Sequence, residues 1–507
     1  MYKLDILFIS PGNTKNIYQD LSKKYTTIEP PTWSLLLAES CRSIGYKVGI
    51  CDANAEGLTK EEVYKRVQDL NPRIICFVVY GQNVNAGSVN MSGATYLSNY
   101  LKTCTNIPIC YVGSHVQALP YKTLKEEKSI DFAFTNEGVY ALRNILKLDN
   151  IDNITLKNIK GIVWRDGDKI VINDSEQIVP REKMDTDLPG YAWDLLPYKD
   201  TPLDLYRAPM WHAEYDENKR SPYAAIQTSL GCQFGCDFCM INILNRNDTK
   251  EVGVASDYSF MRYWSPDFII NEFDKLHKLG VYTIKITDEL FLFNKKYYGP
   301  LCETLSKRPY VDKLTMWAYS RIDTVRNPEL LKLVRSAGIK WLALGIESGD
   351  KTVRLEVSKG KFQEVDIKKV VDQIHDAGIN VMGNYIFGLP GDSIESMNKT
   401  LDLSVELCTA GWNAYAAMAL PGSKLYKTAL LKGTPLPEKY EEYSFFGKHT
   451  KNLPTDHCTS TEILAFRDNA FLQYHTNPKF LKLIEERFGI DQVNNIKEMC
   501  KVKINRA

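Results

Sequence analysis

Two hydrophobic periods alternate along the first 145 residues. Short runs rich in β-branched and aromatic residues predict strands at Asp5–Ser10, Tyr46–Cys51, Arg73–Tyr80, Ile107–Val112 and Ile130–Phe134. Stretches with apolar residues every three to four positions predict helices near 33–44, 59–70, 91–103 and 137–147. Strands spaced by helices imply a parallel, doubly wound sheet, with any ligand beyond the carboxyl ends of the strands. Those ends are polar or glycine-rich: Pro11-Gly12-Asn13, Gly81-Gln82-Asn83-Val84-Asn85-Ala86-Gly87 and Gly113-Ser114-His115. None has the G-x-G-x-x-G spacing, so a dinucleotide site has no support.

Residues 150–222 read as a connector. Gly161–Arg165 and Lys169–Asn173 flank Asp166-Gly167-Asp168 and predict a hairpin, followed by an irregular proline-containing stretch. The alternation then resumes, with strands expected at Ala224–Ser229, Tyr282–Thr287, Leu314–Tyr319, Trp341–Ile346, Asn380–Phe387 and Ala414–Leu420. Helices are expected near 266–279, 295–307, 328–337, 364–377 and 394–410. Six βα units in a row over 223–428 predict a partial (β/α)6 barrel of the TIM type. Residues 429–507 form a small α-rich region, with helices at 459–475 and 477–487. The fold class is therefore α/β, with the first sheet domain spanning 1–149.

Composition changes this picture little. The 507 residues carry 63 Lys and Arg against 62 Asp and Glu, a net charge of +1, which argues against a nucleic-acid-binding surface. No apolar run reaches the length of a bilayer span, and the first residues lack a signal-peptide pattern; a cytoplasmic protein is expected.

Cysteine usage changes it more. Of twelve cysteines, nine are scattered, several in apolar runs as small buried residues. The other three form Cys232-x₃-Cys236-x₂-Cys239, just after the first barrel strand. Three thiolates at this spacing fit three irons of a [4Fe–4S] cubane and leave the fourth iron open to a small chelator. A structural zinc site is the competing reading, although zinc usually takes four ligands at paired spacings. Gly231 and Gly235 would let the chain wrap closely.

With these marks in place, the sequence resembles the radical S-adenosylmethionine (SAM) superfamily. Phe238 before the last cysteine matches its signature, and further features follow in order. The resemblance implies SAM contacts from Asp288 and Glu289 after the second barrel strand, and from Ser320 and Arg321 after the third. It implies others from Glu347 and Ser348 after the fourth, Asn384 and Ile386 on the fifth, and Leu420 and Pro421 after the sixth. Residues 1–149 are similar to the flavodoxin-like (Rossmann-like) cobalamin-binding domain of the family's cobalamin-dependent branch. That likeness rests on Pro31–Ala38, Asp52–Gly57 and Tyr111–His115, with the linker 187–198 in support.

The resemblance implies cobalamin contacts from Pro11, Gly12, Asn13, Gly81, Gln82, Asn83, Asn85, Gly113, Ser114 and His115. One departure stands out. The cobalt-ligating Asp-x-His-x-x-Gly loop of classical cobalamin domains is replaced by Ser10-Pro11-Gly12-Asn13-Thr14-Lys15, so cobalamin is expected His-off, with the loop Tyr80–Gly87 nearest its lower face. His115 reads as a hydrogen-bonding wall residue. The implied activity is radical methyl transfer through methylcobalamin to an unactivated carbon of a small-molecule substrate, with an external electron donor of the flavodoxin or ferredoxin type. Cyclisation or rearrangement without net methylation is the alternative enzyme, and a non-catalytic cobalamin or metal sensor the alternative of another class. Aromatic clusters at Met210–Tyr215 and Tyr440–Phe446 are candidate substrate walls, or seams between domains.

Overall fold

The two hydrophobic periods become two parallel sheets. The computed structural model describes residues 2–12, 14–81, 84–199, 203–208, 218, 220–325, 327–357 and 365–507. In the first sheet β1 (Leu4–Ser10), β2 (Val48–Asp52), β3 (Pro72–Val79), β4 (Ile109–Gly113) and β5 (Phe132–Phe134) are parallel. The expected hairpin is present as β6 (Ile162–Asp166) and β7 (Lys169–Ile172). It does not stand apart as a connector: β6 pairs antiparallel with β5, so the sheet runs β2-β1-β3-β4-β5-β6-β7. Covered on both faces, its central strands read as continuous apolar runs. Helices Lys60–Leu70 and Gly87–Cys104 close one face over a separate core, with Val63, Val67, Met91 and Leu101 buried against Ile75 and Phe77. The opposite face merges into a core shared with the second sheet.

That second sheet begins with β8 (Tyr223–Ile226). The chain then leaves it as β9 (Ser229–Gly231), which pairs antiparallel with β10 (Met261–Tyr263), earlier than the pattern through Ser229 predicts. The cause is Asp288. Its carboxylate accepts from the Thr228 amide, the Thr228 hydroxyl and the Ser229 hydroxyl, each at 2.6 Å, and pulls the chain out of β8. The sheet continues with β11 (Thr283–Ile286), β12 (Thr315–Arg321), β13 (Ile339–Glu347), β14 (Asn380–Phe387) and β15 (Gly411–Ala416). The order is β15-β14-β13-β12-β11-β8, all parallel, and among the described residues β15 does not pair with β8, so the barrel is partial. β15 lies three residues earlier than the apolar pattern suggests. Its last partner, Phe387, pairs with Ala416; Ala417 still donates to the Phe387 carbonyl, and the apolar residues 418–420 then lead irregularly into a turn at Pro421 and Gly422.

The C-terminal region carries the two expected helices, Ser460–His475 and Pro478–Phe488, with Lys424–Lys432 before them and Ile490–Met499 after. The first of the two packs against the barrel edge, where Tyr474 stacks on Trp412 at 5.3 Å. Across the seam between the sheets, Arg262 and Glu137 form a fully buried ion pair at 2.7 Å. Arg262 also donates to the Val179 carbonyl and to Asn245 Oδ1. No helix among the described residues is long and apolar enough to cross a membrane.

Candidate functional site

The carboxyl ends of both sheets open into one cavity of about 1390 Å³. That exceeds the roughly 300–1,000 Å³ of a single drug-sized pocket. Its walls come from the loops after β1 and β3, the cysteine loop, the strand ends of the barrel, and the C-terminal region.

Cys232, Cys236 and Cys239 all face this cavity. Gly231 carries φ +82, and a Cβ there would lie 2.3 Å from the Phe260 carbonyl oxygen, so a side chain cannot replace it without moving the loop. Asn242 fastens the loop from within: Oδ1 accepts the Cys232 amide at 2.7 Å, and Nδ2 donates to the Phe234 carbonyl at 3.0 Å. Backbone amides point at two of the sulfurs, Phe234 N–H to Cys232 Sγ at 3.4 Å and Ile241 N–H to Cys239 Sγ at 3.5 Å. Burial pushes the Cys232 thiol up to about 12, the Cys236 thiol up to about 11, and the Cys239 thiol well above its ordinary range. Thiols this desolvated ionise only against added positive charge, which a bound metal centre supplies. Structural zinc takes four ligands at paired spacings, and the cysteine loop supplies three. Three sulfurs around open space, two of them facing backbone amides, fit an iron–sulfur cubane.

Charged groups ring the cysteines. Arg321 forms a two-pronged pair with Asp323, at 2.9 and 2.8 Å, and lies 3.9 Å over the Phe234 ring. Glu289 and Glu347 also line the cavity, and burial raises each carboxyl to about 7. Glu347 has φ +66, at an irregularity in the pairing of β13 with β14. Non-glycine residues held in that region are strained and concentrate at functional sites. Phe238, Ile386, Leu389, Ala417 and Val353 form a small apolar cluster of their own, of which Phe238, Ile386 and Ala417 face the cavity. Ser320, Asn384 and Leu420 complete this wall.

Three residues expected on it do not line the cavity. Asp288 is occupied by Thr228 and Ser229. Ser348 is fully buried, ties Thr400 and the Asp350 amide together, and serves the strand end. Pro421 lies in the turn that follows Leu420. On the other side, Pro11, Gly81 and Asn85 line the cavity. Gly12, Gly113, Ser114 and His115 lie behind them. At Gly12 and Gly113 a Cβ would sit 2.6 Å from Asn54 Cα and 2.3 Å from the Val79 oxygen, so these glycines permit close chain packing. Ser114 donates to the Val84 carbonyl at 2.5 Å. His115 Nδ1 meets the Ser88 hydroxyl at 2.9 Å under the ring of Tyr440, and burial lowers it to about 3, so it stays neutral. Asn13, Gln82, Asn83 and the Met210–Tyr215 cluster fall outside the described residues.

The sequence pattern did not single out several wall residues. Trp33 stacks on Tyr80 at 4.7 Å, and its buried indole N–H has no partner among the described residues, which leaves a donor for a ligand. Lys285 on β11 is ion-paired with Glu29 of the first domain, inside the cavity. The tail Cys500–Arg506 closes another side, held by Gln19 to Asn505 and by Arg506 to Asp468 at 2.8 Å. Of the expected aromatic segment, Tyr443, Ser444, Phe445 and Phe446 line the cavity; Tyr440 instead hydrogen-bonds Glu127 at 2.7 Å.

A cysteine triad at the mouth of a parallel partial barrel, followed by charged strand ends, defines a radical SAM domain. The domain model described as "Radical SAM superfamily" matches residues 226–404, the stretch that holds the cysteine loop and the barrel strands from the end of β8 to β14. An uncharacterised methyltransferase of Pyrococcus horikoshii is 25% identical over 488 residues, 94% of each chain. The anaerobic magnesium-protoporphyrin IX monomethyl ester cyclase of Cereibacter sphaeroides is 24% identical over 399 residues, 76% of this chain and 58% of its own length. Among solved structures, the radical SAM methyltransferase TsrM of Kitasatospora setae, with cobalamin and a [4Fe–4S] cluster bound, is similar with TM-score 0.61 at 15% identity, covering 86% of this chain and 76% of that one.

Proposed function

We propose that this protein moves a methyl group, by way of cobalamin, to an unactivated carbon of a small molecule. The observation that carries the reading is the single cavity shared by the cysteine loop and the loops of the N-terminal sheet. Two cofactor faces with no wall between them suit a reaction in which one prepares the substrate and the other delivers the group.

In this reading Cys232, Cys236 and Cys239 hold the [4Fe–4S] cluster. Glu289 and Arg321 receive the amine and carboxylate of SAM, Glu347 its ribose, and the apolar cluster of Phe238, Ile386 and Leu389 its adenine. Pro11, Gly81, Asn85 and Trp33 border the cobalamin. Residues 1–149 act as the cobalamin-binding domain and 223–428 as the radical SAM domain. The one histidine of residues 1–150, His115, is committed to Ser88, so the reading keeps cobalamin His-off. The bound cofactors supply one-electron SAM cleavage and a transferable methyl group. The chain supplies geometry and dryness: Tyr443, Phe445 and Phe446 with the tail Cys500–Arg506 cover the substrate space and keep water and oxygen from it. A flavodoxin- or ferredoxin-type donor supplies the electron, and a cytoplasmic setting suits chemistry this sensitive to oxygen.

The test is anaerobic turnover with methyl-labelled SAM, hydroxocobalamin and excess dithionite as the source of electrons. Wild type is expected to form 5′-deoxyadenosine and to move label onto cobalamin, and Cys236→Ala to do neither. Cluster-loaded wild type that does neither would overturn the proposal. The cyclase relative favours a second reading, cyclisation without net methylation; product carrying no label would select it.

A further inference from the structure

Asn85 belongs to the N-terminal domain but acts at the cluster loop. It sits in the short 3-10 turn Val84–Ala86, between β3 and the helix Gly87–Cys104. Its Oδ1 accepts the Met240 amide at 3.0 Å. Its carboxamide also lies against Cys239 Sγ, with Oδ1 at 3.9 Å and Nδ2 at 4.0 Å. A carboxamide can be turned either way, and its partners decide which end is which. The Met240 N–H can only donate, so the oxygen must face it and the NH₂ is the other end. A free Cys239 thiol can donate to that oxygen; an iron-bound thiolate has no proton and can only accept. Cluster loading therefore leaves one favourable pairing, Asn85 Nδ2–H to Cys239 Sγ.

The turn is built to hold this side chain in place. Ser114 grips the Val84 carbonyl at 2.5 Å. Gly81 takes φ +73, where a Cβ would press within 2.9 Å of the Ala86 Cβ. Behind it, a Cβ on Gly87 would lie 2.0 Å from Ser114 Oγ. The residues that the resemblance assigned to cobalamin, Gly113 and Ser114, thus brace the loop that presents Asn85. Cys239 receives two N–H groups from two different domains, the Ile241 amide of its own loop and the Asn85 carboxamide.

We infer that Asn85 is a positioning residue through which the N-terminal domain sets how readily the cluster is reduced. A hydrogen bond to a cluster sulfur stabilises the more negative, reduced state and raises its potential. The same loop borders the proposed cobalamin space, so corrin entering there meets the side chain that touches the cluster. The inference rests on the cluster assignment but not on cobalamin, and its test is done without it.

The experiment is an EPR-monitored reductive titration of the full-length protein, reconstituted anaerobically with iron and sulfide and free of cobalamin. Compared with wild type, Asn85→Ala is expected to retain its iron and shift about tenfold toward the oxidised cluster at fixed potential, which is 59 mV for one electron. Asn85→Asp, which places a like charge beside the thiolate, is expected to shift further the same way, and Asn85→Ser, which keeps a donor, to shift less than Asn85→Ala. Unchanged titrations in iron-replete Ala and Asp variants would overturn the inference. So would loss of iron from all three variants, which would make Asn85 a loop-folding residue. Wild type that takes up no iron would strike the cluster assignment itself.

Discussion

The two sheets solve the same problem by different means. Both are parallel, and both present the carboxyl ends of their strands to one cavity. The barrel meets it with reactive groups: three thiols, Arg321, and two carboxyls that burial raises to about 7. The N-terminal sheet meets it with shape: Pro11, Gly81, Trp33 stacked on Tyr80, and carboxamides. The barrel's ligands are to be held by bonds and ion pairs, which few residue types can make. The N-terminal ligand is to be held by fit, which many sequences provide. Substitutions on the two sides should therefore fail differently.

The largest effect is expected at Cys236→Ala, with iron binding lost and 5′-deoxyadenosine falling to background, while far-UV circular dichroism and the N-terminal domain stay intact. Unfolding of the whole chain would show instead that the sides are not separable. Next is the seam. Removing one partner of the Arg262–Glu137 pair leaves a buried charge alone, so Glu137→Ala is expected to destabilise the protein by about 3–5 kcal/mol in denaturant unfolding. A loss below 1 kcal/mol would mean that the two domains do not depend on the pair. Arg321→Lys keeps the charge but loses the two-pronged pair with Asp323 and the stacking on Phe234. It is expected to weaken SAM binding by about 10–100-fold in calorimetry, on the scale of one charged hydrogen-bond set, and to leave cobalamin uptake unchanged.

The effect that varies with pH lies at the end of β2. Asp52 is buried, accepting from the Ala55 amide and the Tyr206 hydroxyl at 3.1 Å each, and burial raises its carboxyl to about 7. The folded value lies above the unfolded one. Its contribution to stability is therefore full below the unfolded value, declines as the pH rises toward about 7, and is level above that. Asp52→Asn is expected to gain on wild type as the pH rises from 4 to 7, by at most about 1.4 kcal/mol per unit, with no further gain above 7. A variant–wild-type difference that does not vary with pH would contradict this.

How much of this was legible follows from the range of each interaction. Periodicity located the five parallel strands of the first sheet and the six of the barrel, since burial on both faces writes itself into neighbouring residues. The cysteine loop was legible for the same reason, with its three thiols and two glycines inside nine residues. The hairpin announced its own pairing but not the sheet edge that β6 joins. Asp288 carried the right chemistry in the right strand-end segment, yet its partners Thr228 and Ser229 lie sixty residues away and take all of it. Glu29 against Lys285, Gln19 against Asn505, and Asn85 against Cys239 join distant stretches with no local signature. The cavity's reactive side was therefore readable, and the side that works by fit became visible only once folded.

The most direct test of the central claim is a metal count on protein reconstituted anaerobically with iron, sulfide and hydroxocobalamin and then desalted. About four iron and one cobalt per chain are expected, with Cys236→Ala keeping its cobalt and losing its iron. Iron without cobalt in the wild-type protein would contradict the claim, leaving a radical SAM domain whose partner sheet serves some other purpose.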